Sequence, residues 1–335
     1  MIEVAVVGVG GWGKNLARNY YQLPEANLRY ICDLDDDKLE AMRRQYPAVS
    51  MTKSYDEVVK DPELDAVVIA TTGPTHYSLA KQALEAGKDV YVEKPFVLEV
   101  EHAVELKNMA EESGRVLMVG HLLEYHGVVT RLKTMIDAGE LGDVYYIYSQ
   151  RLNLGTVRED ENALWNFAPH DISSILYLLG KKPVDVSARG QDYLQRDVED
   201  VVFLTLSFED NTMAHIHVSW LDPHKVRKLT IVGSDKMAVF DDLEAAEKLK
   251  IYDKGAKLSQ DYDTFAEYIG LRFGDITIPH VKVGEPLRTE CLHFIDCVVN
   301  RKQPLSDGQD GLRVIQVLDA AQRSLKNNGV PVAIK

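Results

Sequence analysis

The sequence predicts a two-domain α/β protein. A doubly wound parallel sheet occupies the first 120 residues, and an α+β domain with a large open, mostly antiparallel sheet fills residues 121–335. Three observations carry this. Continuous apolar runs alternate with helical patterns up to about residue 120. A glycine-rich turn follows the first of those runs, and beyond residue 120 the apolar residues begin to recur with period 2. Continuous apolar strands belong in a sheet covered on both faces, whereas alternating strands rest one face on a core.

Length and composition agree with that division. At about 150 residues per domain, 335 residues make roughly two domains. A hydrophobic content of 45% with 27% charged residues is ordinary for a globular chain and excludes a disordered or fibrous one. The 38 Lys and Arg against 52 Asp and Glu leave a formal charge of −14, which argues against nucleic acid as a main partner. No apolar run approaches the roughly 18–20 residues that span a bilayer. The start, Met1 to Val7, reads as a strand rather than a signal peptide, so a cytoplasmic location is expected. Cys32, Cys291 and Cys297 form no metal-ligand spacing, and their odd number opposes a disulfide framework.

In chain order, Ile2–Val7, Leu28–Cys32, Ala66–Ala70, Val90–Val92 and Val116–Val119 read as parallel strands, with Thr75–Ala86 and Val100–Glu112 among the helices between them. Val144–Arg151, Val184–Gln191, Val201–Phe208, Met213–Trp220 and Val226–Val232 read as strands of the second sheet. Two amphipathic helices close the chain, one presenting Leu287, Cys291, Phe294 and Val298, the other Val314, Val317, Ala321 and Leu325.

Gly8-Val9-Gly10-Gly11-Trp12-Gly13 fits the G-x-G-x-x-G pattern, and its context gives it weight: it follows a strand, opens a helix, and has Asp33 at the end of the next strand. Gly8 permits the tight turn, Gly10 lets backbone approach a pyrophosphate, and Gly13 lets the helix lie close to the strand, as in a Rossmann domain. The pyrophosphate then meets free N–H groups at the helix N-terminus. Asp33 can accept both hydroxyls of an adenosine ribose. It would repel a 2′-phosphate by about 4 kcal/mol per charge pair at an effective dielectric near 20. No Arg or Lys follows at once, since the next residues are Leu34, Asp35, Asp36 and Asp37. NAD is therefore the expected cofactor, and the three acids read as the start of the following helix.

Glu93-Lys94-Pro95 stands at the carboxyl end of the fourth strand, where open α/β sheets bind ligands. Together with the glycine fingerprint and the change of pattern in the second half, it resembles the Gfo/Idh/MocA family of sugar and cyclitol oxidoreductases over essentially the whole chain. The resemblance implies an NAD-dependent dehydrogenase with a cofactor side built from Gly8, Gly10, Gly11, Trp12, Gly13, Asp33, Glu93 and Lys94, and from the loop carrying Thr71, Thr72 and His76. It also implies a cis bond between Lys94 and Pro95. Where the family usually has Asp-x-x-x-His, this chain has Asn166-Phe167-Ala168-Pro169-His170. The acid is missing, so Lys94 and His170 remain as the catalytic pair.

Ile172, Ile175, Leu176 and Leu179 form a helical face after His170, with Gly180 as the stop and Pro169 suited to a first turn. That places His170 near a helix N-terminus, where the dipole favours the neutral imidazole a base needs. Arg151, Asn153, Trp165 and Asn166 are candidate substrate contacts. Lys225 and Arg227, two apart at a strand mouth, suit either a diphosphate clamp or a solvated strand start. Within the family these stretches look most like members that oxidise the C3 hydroxyl of a UDP-N-acetylhexosamine, feeding 3-amino sugar synthesis. The alternatives are the corresponding uronic acid, a free sugar or inositol, an NAD-assisted glycosidase, and an NAD(H)-binding sensor. His215 and His217 share a strand face but suggest no further metal ligands, and no metal is expected. An open sheet face invites a second subunit, so a homodimer or homotetramer is expected.

Overall fold

A computed structural model describes residues 1–159, 161–258 and 269–335. The described chain divides into two compact units: Met1–Tyr125 with Gly284–Ile315, and His126–Val283 with Gln316–Lys335. The division expected at residue 120 accounts for the first crossing but not for the return of 284–315 to the first unit.

That unit is built on six parallel strands: β1 (Ile2–Val7), β2 (Ala26–Cys32), β3 (Ser50–Thr52), β4 (Ala66–Ile69), β5 (Asp89–Glu93) and β6 (Leu117–Gly120), in the order β3-β2-β1-β4-β5-β6. The order reverses between β1 and β4, the switch point at which such sheets bind ligands beyond their carboxyl ends. Helices α1 (Gly13–Gln22), α2 (Asp36–Gln45), α3 (Tyr55–Lys60), α4 (Gly73–Glu85) and α5 (Val100–Ser113) connect the strands. All four residues of β4 and all five of β5 are buried, as a doubly covered sheet requires. The helix Pro286–Asn300 closes this core. Its Leu287, Cys291, Phe294 and Val298 stripe packs with Leu16, Tyr20 and Tyr91, which is why 284–315 belongs here.

The second unit holds a nine-stranded mixed sheet. β7 (Val144–Leu152) runs parallel to β10 (Met213–Ser219), and the other pairs are antiparallel. β8 (Pro183–Gln191) and β9 (Val201–Phe208) extend it to one side, β11 (Val226–Gly233) and β12 (Met237–Asp241) to the other. Two further strands, Leu249–Leu258 and Ile269–Thr277, form the far edge; the sequence pattern had suggested neither. In β9, Val202, Leu204, Leu206 and Phe208 are buried while Phe203 is exposed, so period 2 holds despite Val201 and Phe203. Register places Tyr148, His215, Thr205 and Ser187 across neighbouring strands on that outer face. Among the described residues no helix is long and apolar enough to cross a membrane.

Candidate active site

In the first unit the glycine loop is shaped by close approaches. Gly8 has φ +88°, and a Cβ there would lie 2.8 Å from the Ala70 carbonyl and the Thr71 nitrogen. A Cβ on Gly13 would run into the Gly8 carbonyl. Backbone packed against both positions therefore favours glycine there. Gly10 and Gly11 are different: added Cβ atoms would meet nothing. The space above them is a cradle that the fold itself leaves open, and it fits a pyrophosphate of NAD at the start of α1.

Asp33 anchors the next element of this cradle. Its Oδ2 accepts from Val9 N at 2.8 Å and its Oδ1 from Asp35 N at 3.0 Å. Asp35 caps α2 by accepting from the Asp37 and Lys38 amides, so Asp35 to Asp37 do open a helix. One turn along, Lys38 Nζ reaches to 3.7 Å from Asp33 Oδ1. The residues immediately after Asp33 offer no cation; the helix brings one back.

The Thr71 loop and the Lys94-Pro95 strand end are tied together by His76. Thr75 Oγ1 bonds Thr71 Oγ1 at 2.7 Å and the Thr72 carbonyl at 2.8 Å. His76 is fully buried, with Nδ1 2.8 Å from the Pro95 carbonyl and Nε2 3.2 Å from that of Thr71. Burial lowers its pKa, against the pull of these carbonyls. The expected cofactor contact through the His76 side chain is thus corrected: a side chain with no exposed surface positions two loops instead. The Lys94-Pro95 bond is cis.

Glu93, also buried, accepts from Trp12 Nε1 at 2.6 Å, Tyr91 OH at 3.1 Å and Lys94 N at 3.2 Å. Burial raises its pKa, while Trp12, Lys94 and Tyr91 pull it back. Trp12, itself 42% exposed, thereby links the glycine loop to the end of β5. Sequence pattern gave no sign of this link across 81 residues.

In the second unit the helix α6 spans Ala163–Leu179, with Asn162 as N-cap accepting from Trp165 N. This corrects the expectation that His170 lies near a helix N-terminus. Pro169 is inside the helix, and His170 is mid-helix, two turns from the cap. Pro is favoured at a first turn but is also tolerated further in where packing holds the helix, and here Ala168, Pro169, Asp171 and Ile172 are all buried. The dipole argument for a neutral His170 falls with this. His170 is half-buried, and its carbonyl accepts from Ser173 and Ser174 hydroxyls at 3.1 and 2.7 Å.

Asn166, one turn before His170 on the same face, lines an open cavity of about 650 Å³. Arg158, Lys225 and Arg227 bring three cations to it; Asn153 and Thr156 add hydrogen-bonding groups, and Phe167 a ring. Arg227 is the most constrained. It donates to the Leu152 and Val226 carbonyls and to Asn153 Oδ1, each at 2.9 Å, and stacks 5.5 Å from the Phe167 ring centroid. Burial, then nearby Arg151, lowers its pKa to about 10. Lys225 precedes β11 and is exposed, so the two cations share the cavity but not one strand face.

Other expected substrate contacts are used by the protein itself. Arg151 forms a bidentate pair with buried Asp171, at 2.6 and 3.3 Å. Trp165 Nε1 donates to Gln322 at 3.1 Å. Asn166 Nδ2 donates to Glu161 at 2.5 Å. Arg158, Thr156 and Phe167 were missed, because a loop residue joins a site through the path of the chain rather than through any period. His215 and His217 lie on the outer sheet face, both stacked on Phe203.

Comparison with known proteins agrees with this geometry. Residues 2–121 match the oxidoreductase family NAD-binding Rossmann fold of the Gfo/Idh/MocA group, and residues 129–239 match the GFO/IDH/MocA C-terminal domain. The chain is 28% identical over 320 residues to UDP-N-acetylglucosamine 3-dehydrogenase of Acidithiobacillus ferrooxidans, covering 94% of each chain. A solved structure of that enzyme superposes with a TM-score of 0.80, covering 97% of this chain and 98% of the other at 25% identity. The chain is also 25% identical over 346 residues to scyllo-inositol 2-dehydrogenase (NAD(+)) of Bacillus subtilis, covering 99% and 96%. GenD2 from gentamicin A biosynthesis, solved with NAD, has the same fold, with a TM-score of 0.83 at 24% identity over 100% and 96% of the two chains. With its NAD-binding Rossmann domain, its mixed second sheet and both family regions matched, the chain belongs to the Gfo/Idh/MocA family of oxidoreductases.

Proposed function

We propose that this dehydrogenase oxidises the C3 hydroxyl of a UDP-N-acetylhexosamine, UDP-N-acetylglucosamine in the first instance, to the 3-keto sugar. The observation that carries the reading is the cationic cavity of Arg158, Lys225 and Arg227, one helical turn from His170, in a chain of net charge −14. Cations gathered against the overall charge, two of them planar guanidiniums, suit a diphosphate. Phe167 offers an apolar surface beside them.

NAD, when bound, supplies the acceptor for the hydride. His170, as neutral imidazole, takes the hydroxyl proton on its ring nitrogen, and the Lys94 ammonium stabilises the alkoxide as it forms. Asn166 is an amide and holds the sugar by hydrogen bonds only. The carboxylate of Asp33 favours NAD over NADP, even with Lys38 nearby, because the Asp33 oxygens already organise the Val9 and Asp35 amides around a ribose site.

A second reading, the same oxidation of a free cyclitol or sugar, is favoured by the similarity to the inositol enzyme over 99% of the chain. There Lys225 and Arg227 would have no diphosphate to bind. The test is NADH formation from NAD⁺ with UDP-N-acetylglucosamine, its C6 carboxylate, other UDP-sugars, free hexoses and myo-inositol, with a carbonyl trap present. A signal confined to UDP-N-acetylglucosamine is expected. A signal with inositol alone would replace the first reading by the second, and tight NAD binding without turnover would favour a glycosidase or a sensor.

We place the reaction in the cytoplasm, where NAD and nucleotide sugars are available. We further propose a homo-oligomer in which a second copy covers the outer face of the mixed sheet. Tyr148, Phe203 and Met213 stand exposed there, an apolar stretch that a lone domain would leave to water.

A further inference from the structure

Behind the Glu93-Lys94-Pro95 strand end the first unit buries an acid that neither cofactor nor substrate chemistry requires. Glu290, on the helix Pro286–Asn300, has no exposed surface, and neither of its carboxyl oxygens has a hydrogen-bond partner. One turn along, Phe294 meets the ring of Tyr91 edge-on, with centroids 5.8 Å apart. Helical spacing therefore brings Glu290 to the same side of Tyr91, whose hydroxyl bonds Glu93 at 3.1 Å. The two acids have opposite surroundings. Glu93 accepts from three donors, Trp12, Tyr91 and the Lys94 amide, and Glu290 from none. A carboxylate without donors in an apolar interior is costly, whereas the neutral acid is not.

We propose that Glu290 is a positioning residue, kept as the neutral acid so that Glu93 is the one anion that holds the Trp12 indole and the Lys94 amide in place. The packing leaves Glu93 little freedom. A Cβ on Gly120 would lie 2.6 Å from the Tyr91 hydroxyl and 3.0 Å from Glu93 Oε2, so β6 is already pressed against both. A second negative charge at Glu290 would be relieved only by loosening the contacts of Glu93 to Trp12 and Lys94. The ionisable groups that interact with Glu290 are Glu93 and Tyr91 from β5, Tyr20 from α1, Cys291 on its own helix, and His121, Glu124 and Tyr125 beyond β6. Burial, then the charge of Glu93, pushes the Glu290 carboxyl well above the usual range; Tyr91 and His121 oppose this.

The inference needs NAD binding but no particular substrate, so its test does not depend on turnover. Thermal unfolding and the NADH dissociation constant, by calorimetry, are measured across pH 6 to 9.5 for the native protein and for Glu290→Gln. A folded-state pKa raised above the unfolded value stabilises fully below the unfolded value and is lost as pH rises towards the folded one. The native protein should therefore lose up to about tenfold in its folding constant per pH unit relative to Glu290→Gln, which cannot ionise. The stability gap between them should open in favour of Glu290→Gln as pH rises. While the gap opens, folded Glu290 is still neutral and NADH binding should be the same in the two proteins; once the gap stops opening, as the folded acid ionises, NADH binding should weaken in the native protein and hold in Glu290→Gln. A Glu290→Gln protein that fails to fold, or is much the less stable at pH 7, would overturn the proposal, since a neutral amide must replace a neutral acid. So would parallel stability curves for the two proteins. NADH curves that stay identical after the gap has stopped opening would leave Glu290 neutral at lower pH but refute its positioning role.

Discussion

His170 and Lys225 separate chemistry from binding at the level of single residues. His170→Asn keeps a hydrogen-bonding side chain of similar reach but removes the base. We expect kcat to fall by about 10²–10⁴, the usual worth of a positioned base, with the NADH dissociation constant unchanged by calorimetry. Lys225 is exposed and holds no strand together, so Lys225→Ala should leave the melting temperature alone. It should raise KM for a UDP-sugar by about tenfold, one charge-assisted bond, and leave a free sugar unaffected. Steady-state kinetics on both substrates checks this. Arg227 cannot serve the same purpose, because its guanidinium also braces Leu152, Asn153 and Phe167. At this scale the sequence disclosed residue types but not their engagements. Arg151, Trp165 and His76 all looked available, and each is occupied by a partner from 5 to 157 positions away.

Among elements, the glycine loop was the most legible, because each glycine answers a local steric demand that the pattern encodes. The four glycines nevertheless differ in what they protect. Gly10→Ala meets no neighbour, so the protein should fold with its melting temperature little changed and lose NADH affinity by at least tenfold as the cradle fills. Gly13→Ala collides with the Gly8 carbonyl and should lower the melting temperature as well. Unfolding and calorimetry on the two variants distinguish them; equal NADH affinity in Gly10→Ala and the native protein would remove the pyrophosphate from this loop. The start of helix α6 is hard to read because Pro169 is a residue type suited to a first turn. The true start, Asn162 with its bond to Trp165 N, lies in a polar stretch that gave no apolar period to announce it. The short edge strand β3 and the edge strand Ile269–Thr277, with its neighbour Leu249–Leu258, are hard to read for a similar reason: strands at or next to an edge bury little and alternate weakly.

For the whole molecule, the amphipathic stripe of Leu287, Cys291, Phe294 and Val298 was readable, yet what it packs on was not. Period 3.6 reports that a face is buried, never which face receives it, and here the receiver is the Rossmann core some 200 residues earlier in the chain. The outer face of the mixed sheet poses the converse problem, an apolar surface with no receiver among the described residues. Phe203→Glu places a charge at its centre without touching the core beneath. Light scattering after size exclusion should then show a smaller species than the native protein; an unchanged mass would move the interface elsewhere.

The central claim is that the hydride leaves from C3 of a nucleotide sugar. UDP-N-acetylglucosamine deuterated at C3, turned over with NAD⁺ and a carbonyl trap, tests it most directly, with the reduced cofactor analysed by mass spectrometry. The account predicts that NADH carries the deuterium and that the trapped sugar is the 3-keto product. NADH formed without deuterium would mean that another carbon is oxidised, and no NADH from a protein that binds NAD would contradict the dehydrogenase reading for this substrate altogether.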